Sequence, residues 1–218
     1  MQQKHLLLVG GVALAMLFGG VASASAQSGF GTAQAFAVLG ASTVMNTGPS
    51  IVTGNLGLSL GTSLVGFPPG NVVGTIHVAD AVALQAQSDA TTAYNALAGL
   101  ACNANLTGSD LGGLTLTPGV YCFSTSAQLT GALTLNAQGN PNATFVIQIG
   151  TTLTTASNSS VSVINGGSGC LVFWQVGSSA TLGSSTAFVG NILASSSITL
   201  VTGANVPGRL LALNGDVT

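Results

Sequence analysis

One unit recurs along the chain from Val120 onward: an apolar strand, a corner of small residues, and a second short strand in which threonine follows an aliphatic residue or alanine. Phe145-Val146-Ile147-Gln148-Ile149-Gly150 leads to Leu153-Thr154, and Val172-Phe173-Trp174-Gln175-Val176-Gly177 leads to Ala180-Thr181-Leu182. Gly190-Asn191-Ile192-Leu193-Ala194 leads to Ile198-Thr199-Leu200, and Arg209-Leu210-Leu211-Ala212-Leu213-Asn214 leads to Val217-Thr218. The units return at irregular intervals of roughly one to two dozen residues, too short for any one of them to bury its own apolar face. Stacking along one axis gives each unit the neighbour it lacks, which is the solenoid solution. The pieces are short strands separated by Gly, Ser and Asn, so the expected fold is mainly β, a β-solenoid. An ordinary β-sandwich shares the short strands and turns, but it does not require the same corner and the same threonine each time.

The segment before the repeats adds one helix. Residues 27–74 alternate β-rich pieces (Phe36–Leu39, Ser42–Met45, Ile51–Leu60) with Gly and Pro, and end at the turn Gly66-Phe67-Pro68-Pro69-Gly70. Over 75–100, Ile76, Ala79, Ala83, Ala86, Ala90, Ala93, Tyr94 and Leu97 recur at three- and four-residue spacing, with Asp80, Gln87, Thr91 and Asn95 off that stripe. This predicts an amphipathic helix over about 75–100 with alanine on most of its buried face, lying close against another surface. Asp80 suits the positive end of the helix dipole and Gly99 is a stop signal. Residues 101–119 read as a loop rich in Gly, Asn and Thr.

The first residues carry a targeting signal. Met1–His5 is a short polar start with one cation, Leu6–Val21 is apolar and broken by glycines, and Ala24-Ser25-Ala26 is a small-x-small cleavage pattern. Residues 1–26 therefore read as a secretory signal peptide, leaving a single domain over 27–218 outside the cytoplasm. The apolar stretch is short for a membrane span, which needs about 20 residues, so no membrane association is expected after cleavage. Three cysteines fit an oxidising compartment. Cys102 and Cys122 flank a glycine-rich loop, and closing such a loop contributes on the order of 3 kcal/mol in the chain-entropy model. Cys170, at the start of an apolar strand, reads as a buried free thiol. The cysteine spacing matches no zinc motif, and no metal or other cofactor is expected.

Charge excludes more. Only 3% of the residues are charged: Lys4, Arg209, Asp80, Asp89, Asp110 and Asp216. Two cations cannot make a nucleic-acid-binding face. Polysaccharide-cleaving β-solenoids need a carboxylate pair or basic residues in a groove. Here Asp80 and Asp89 fall on the helix, Asp110 in a loop, and Asp216 after the Asn214-Gly215 turn signal. His77 stands alone near the helix start, where capping or packing is its expected role. There is no Gly-x-Ser-x-Gly elbow. The chain reads as a non-enzyme.

The repeated second strand does carry a pattern. In a solenoid, neighbouring rungs lie about 4.7–4.9 Å apart, so equivalent side chains form straight columns. With Ala180, Leu182, Ile198 and Leu200 pointing in, Thr181 and Thr199 point out. Thr154 and Thr218 take the equivalent places, and Thr130 takes it in the coil before. A threonine hydroxyl can anchor water while its methyl keeps the adjacent surface apolar, and β-branching limits the rotamer entropy lost on ordering. Outward threonine is also common on any exposed strand. Phe173 and Trp174 alternate in direction, one into the core and the other under the helix or a neighbouring coil. A Trp174 exposed to solvent would instead be a platform for sugar.

Several stretches together resemble the secreted ice-binding proteins of the DUF3494 family. They are Phe36-Ala37-Val38-Leu39-Gly40, Gly66-Phe67-Pro68-Pro69-Gly70, Thr92-Ala93-Tyr94-Asn95-Ala96-Leu97-Ala98-Gly99, Leu116-Thr117-Pro118-Gly119-Val120-Tyr121, Phe173-Trp174-Gln175-Val176-Gly177-Ser178-Ser179-Ala180-Thr181-Leu182-Gly183 and Gly208-Arg209-Leu210-Leu211-Ala212, in family order. The resemblance implies a right-handed, discontinuous β-solenoid of triangular cross-section with one long helix packed alongside. It implies a Cys102–Cys122 disulfide, and binding to ice through a flat threonine-rich face. The family's face is associated with a Thr-Ala/Gly-x-Thr/Asn motif, which Thr202-Gly203-Ala204-Asn205 matches, adding Thr202 and Asn205 to the candidates. The expected partners are the ice surface and its ordered water, and the protein is expected to be a monomer. The competing reading is an extracellular structural or adhesive module that uses the same scaffold to bind glycan or protein.

Overall fold

A computed structural model describes residues 29–218; the leader expected over 1–26 lies outside them. The strands form parallel ladders on three faces around one core. The first face is a nine-stranded sheet. From one end it runs Ile76–Val78, Asn55–Leu58, Phe36–Gly40, Leu210–Ala212, Asn191–Ala194, Val172–Val176, Phe145–Ile149, Gly119–Phe123 and Ala104–Asn105. This order records the path of the chain. The first coils stack outward from the middle, and the helix Ala81–Ala98 carries the chain back along the outside, about 27 Å at 1.5 Å per residue. The later coils then return rung by rung until Leu210 and Leu211 pair with Val38 and Leu39. The fold is thus the discontinuous β-solenoid with one flanking helix that the resemblance implied.

Register makes the core continuous across that join. Tyr121, Ile147, Trp174, Ile192, Leu210, Val38 and Leu56 are successive partners in the first sheet, and all seven are buried in one cluster. The alternate residues point the other way. Val146, Phe173, Leu193 and Leu211 pack with Phe36 and Leu39 against Ala86, Ala90, Ala93 and Leu97 of the helix. Alanine on that helix face lets it approach closely. Gln87 locks the contact by donating from Nε2 to the carbonyls of Ala212 (2.9 Å) and Leu213 (2.7 Å). Trp174 therefore lies in the core and Phe173 beneath the helix, so Trp174 offers no sugar platform. At the corner after the first face, stacked rungs approach too closely for a side chain. A Cβ on Gly177 would overlap the carbonyl oxygen of Gly150, and one on Gly150 would overlap that of Ser124.

Three expectations need correction. The helix begins at Ala81, because Ile76–Val78 is a strand paired with Leu56–Leu58. Ala79 turns the chain at φ 51°, and Asp80 caps the helix by accepting from the Ala83 N–H at 2.8 Å. The segment 101–119 is not all loop, since Ala104–Asn105 and Thr115–Leu116 are short strands of the last rung. Cys170 is exposed: it sits in the short 3-10 turn Gly169–Leu171, two residues before the strand that would have buried it.

Cys102 and Cys122 are joined in a disulfide. It staples the strands Ala104–Asn105 and Gly119–Phe123, which form the outermost pair of the nine-stranded sheet. Replacing both cysteines by serine is expected to remove about 3 kcal/mol of stability through the freed unfolded chain. Urea unfolding of the parent and the double variant measures this, and equal midpoints would contradict it.

The carboxylates serve the scaffold. The Ala83 N–H and then the His77 ring hold the Asp80 carboxyl below its ordinary value, with His77 Nδ1 2.8 Å from Asp80 Oδ2. The Thr32 N–H, the Thr32 hydroxyl and the Gln85 amide do the same for Asp89, which ties the helix to the N-terminal turn. Burial pushes Asp110 up, but hydrogen bonds from the Thr130 hydroxyl, Gly112 N and Thr130 N outweigh it and leave the carboxyl lowered. In all three the folded pKa lies below the unfolded one. Their contribution is complete above the ordinary carboxylate range and is lost as pH falls through the folded values. Thermal midpoints are expected to be level above about pH 5 and to drop towards pH 2–3; a midpoint independent of pH in that window would contradict this.

Candidate functional site

The three faces differ in what they leave open. The helix covers the first. The third is broken: Thr115–Leu116, Ala132–Asn136 and Ser160–Ile164 form a short ladder, which continues only as single-residue bridges from Ser160 to Ala187 and from Ala187 to Asn205. The second face is regular and uncovered. Ala127–Leu129, Leu153–Thr155, Ala180–Leu182 and Ile198–Leu200 pair in parallel. Val217 bridges Ile198 to Val44, joining this ladder to the pair Thr43–Met45 and Ser63–Val65.

On that face one residue of each strand leads an outward column, the central residue in the first four strands and the last residue in Thr43–Met45 and Ser63–Val65. In register they are Gln128, Thr154, Thr181 and Thr199, followed by Thr218, Met45 and Val65 through the Val217 bridges and the last pair. Ala127, Leu129, Leu153, Ala180, Leu182, Ile198 and Val217 face the core. Four threonines therefore stand on consecutive rungs. Thr154 and Thr218 are exposed, and Thr181 and Thr199 are half-buried among their neighbours. Among the described residues none of the four hydroxyls makes a hydrogen bond to protein, so all four are free for water. No charged residue stands in this column.

Thr130 does not belong to the column. Gln128, not Thr130, pairs with Thr154, and the Thr130 hydroxyl is used in donating to Asp110 Oδ2 at 2.7 Å. The motif residues Thr202 and Asn205 also lie elsewhere. Thr202 sits in the turn after Ile198–Leu200, where Gly203 takes φ 80°, and Asn205 bridges Ala187 on the third face.

A second column was not foreseen. Two residues before each position of that column stand Ser126, Thr152, Ser179, Ser197, Asp216, Thr43 and Ser63, on the same side of their strands. Two of its hydroxyls are engaged between rungs: the Ser197 N–H donates to Ser179 Oγ at 3.3 Å, and the Asp216 N–H donates to Ser197 Oγ at 3.1 Å. The signal was present as a period of two: Thr152-Leu153-Thr154, Ser179-Ala180-Thr181, Ser197-Ile198-Thr199 and Asp216-Val217-Thr218 share one pattern. Beneath the face, Thr155 and Thr186 hydroxyls meet at 2.9 Å, and the Gly183 N–H donates to Thr155 Oγ1 at 2.9 Å. These bonds hold the corner next to Thr154 and Thr181. The result is an uncovered strip in which the free hydroxyls and methyls of Thr154, Thr181, Thr199 and Thr218 run beside a second polar column holding the fixed hydroxyls of Ser179 and Ser197.

Comparison with known proteins agrees on the scaffold. The model of the Ice-binding-like family matches residues 38–218. An ice-binding protein of Nostoc sp. (strain HG1) is 65% identical over 178 residues, which is 81% of this chain and 66% of that protein. Ice-binding protein 1 of Shewanella frigidimarina is 40% identical over 111 residues, half of this chain and 12% of that protein. The chain thus spans just under two thirds of the first of these relatives and a small part of the second. Among solved structures, an ice-binding protein from an Antarctic biological consortium superposes with a TM-score of 0.85 at 48% identity, covering 87% of this chain and 86% of that one. That of the Antarctic ascomycete Antarctomyces psychrotrophicus gives 0.84 at 38% identity, covering 86% and 93%.

Proposed function

Because the chain belongs to the Ice-binding-like family, we propose that it adsorbs to ice through its second face and limits ice growth and recrystallisation. The observation that carries this reading is the run Thr154, Thr181, Thr199 and Thr218, on consecutive rungs with hydroxyls free of protein partners. A rung spacing of about 4.7–4.9 Å lies near an oxygen repeat of ice. Each hydroxyl anchors a water in that repeat, and each methyl keeps the water beside it from being held in a competing geometry. Two features lower the cost of binding. β-Branching restricts the threonine rotamers, and the stacked rungs fix the backbone in advance, so little freedom is lost on adsorption. Asp216 is the one charged side chain in the two columns, so few groups on the face bind water strongly in another arrangement. An adsorbed molecule pins the ice front, and the front bulging between pinned points grows less readily. No catalysis and no cofactor enter this mechanism. We place the protein outside the cell, acting as a monomer on the ice surface and its ordered water.

The test is incorporation into ice. The purified protein in slowly growing ice is expected to be taken into the solid, whereas a non-binding protein of similar size is swept into the liquid. Exclusion of a folded sample from the ice would contradict the proposal.

A further inference from the structure

Beside the last turns of the helix a groove of about 620 Å³ opens on the uncovered end of the first face. Its wall includes Tyr94 from the helix, the Cys102–Cys122 disulfide, Asn105, and the paired glutamines Gln148 and Gln175. The Gln175 side-chain amide makes no hydrogen bond among the described residues and is not closed off from solvent, so it lines the groove with donor and acceptor both free. Gln148 donates from Nε2 to the carbonyls of Leu97 (2.7 Å) and Leu100 (3.0 Å). Its Oε1 lies 3.1 Å from Cys122 Sγ, a disulfide sulfur with no hydrogen to give, so this oxygen also lacks a donor. Asn105 Oδ1 is occupied by the Thr107 N–H at 2.9 Å, leaving its Nδ2 free to donate. The groove thus offers donors and acceptors side by side, an aromatic ring on one wall, and no charged group.

We propose that this groove binds a neutral sugar ring. Adjacent hydroxyls of a saccharide both donate and accept, as the Gln175 amide, Gln148 Oε1 and Asn105 Nδ2 together require. The apolar face of the ring stacks on Tyr94. An ionised ligand finds no counter-charge here, and a purely apolar one leaves the amides unpaired. The site is separate from the threonine columns and does not depend on the ice reading.

Side-chain amide signals of the ¹⁵N-labelled protein are to be followed with glucose, maltose, cellobiose and glycerol. Saturable shifts of Gln175 and Asn105 are expected with the saccharides and not with glycerol, which has no ring to stack. Gln175→Leu and Tyr94→Ala are each expected to weaken saccharide affinity by about tenfold or more while circular dichroism and the urea midpoint report that the variants fold. The proposal is overturned if no saccharide up to about 0.1 M shifts these signals, if glycerol acts equally, or if Gln175→Leu binds like the parent. The Gln175 amide would then be served by an ordered water only.

Discussion

Tyrosine in place of Thr181 or Thr199 is expected to abolish ice shaping and to raise the protein concentration that halts recrystallisation by about tenfold or more, with folding unchanged. Both positions lie inside the run of four threonines, flanked in register by Thr154 and Thr218. A phenol there projects beyond the neighbouring hydroxyls and holds the flat surface away from the ice across several rungs. The inward neighbours Ala180, Leu182 and Ile198 are untouched, so the core does not register the change. Thr134→Tyr on the third face is the control. Its strand belongs to the short, broken ladder, and full activity is expected. Loss of activity in all three variants, or in Thr134→Tyr alone, would move the site to another face.

The largest stability effect is expected at Trp174. Its side chain is fully buried, its ring lies 4.7 Å from that of Phe188, and Nε1 donates to the Val189 carbonyl at 3.1 Å. In register it sits between Ile147 and Ile192 at the middle of the inward ladder. Trp174→Ala removes that packing, opens a cavity between rungs and leaves a carbonyl unpaired, at a cost of about 3–5 kcal/mol. Trp174→Phe keeps an aromatic ring and is expected to cost less. Urea midpoints measure both, and a midpoint for Trp174→Ala within error of the parent would contradict the placement of this residue in the core.

These two residues also show how far the sequence could be read. The alternation of Phe173 and Trp174 forced one into the core and one to the other side, but not which. The choice depends on where the helix lies, and the helix reaches the sheet through contacts distant in the chain. The outward threonines followed from strand alternation wherever the flanking residues were plainly apolar, as in Ala180-Thr181-Leu182 and Ile198-Thr199-Leu200. The same reasoning slipped by two residues at Leu129-Thr130-Gly131. Gln128 there is long and polar and does not resemble the threonines it stands beside, and only the pairing of Gln128 with Thr154 sets the register. At Ile76–Val78 the helical spacing ran on into a strand because Ile76 and Ala79 happen to continue the stripe. The cap at Asp80 was the better boundary signal. The meeting of Phe36–Gly40 with Leu210–Ala212 has no local signature; the family resemblance implies only that the solenoid is discontinuous, and the pairing itself is seen in the structure. Cys170 is exposed although the apolar strand follows it, because the turn Gly169–Leu171 ends before the strand begins and sequence marks no boundary between the two.

Docking of the second face on ice is tested most directly by the crystal habit and recrystallisation rate of ice held just below melting in the purified protein and in Thr181→Tyr, compared at equal concentration with circular dichroism confirming both folds. Faceted crystals and arrested coarsening are expected in the parent, with rounded crystals and normal coarsening in the variant. Rounded, freely coarsening crystals in the folded parent, or equal arrest in both proteins, would contradict docking through this face.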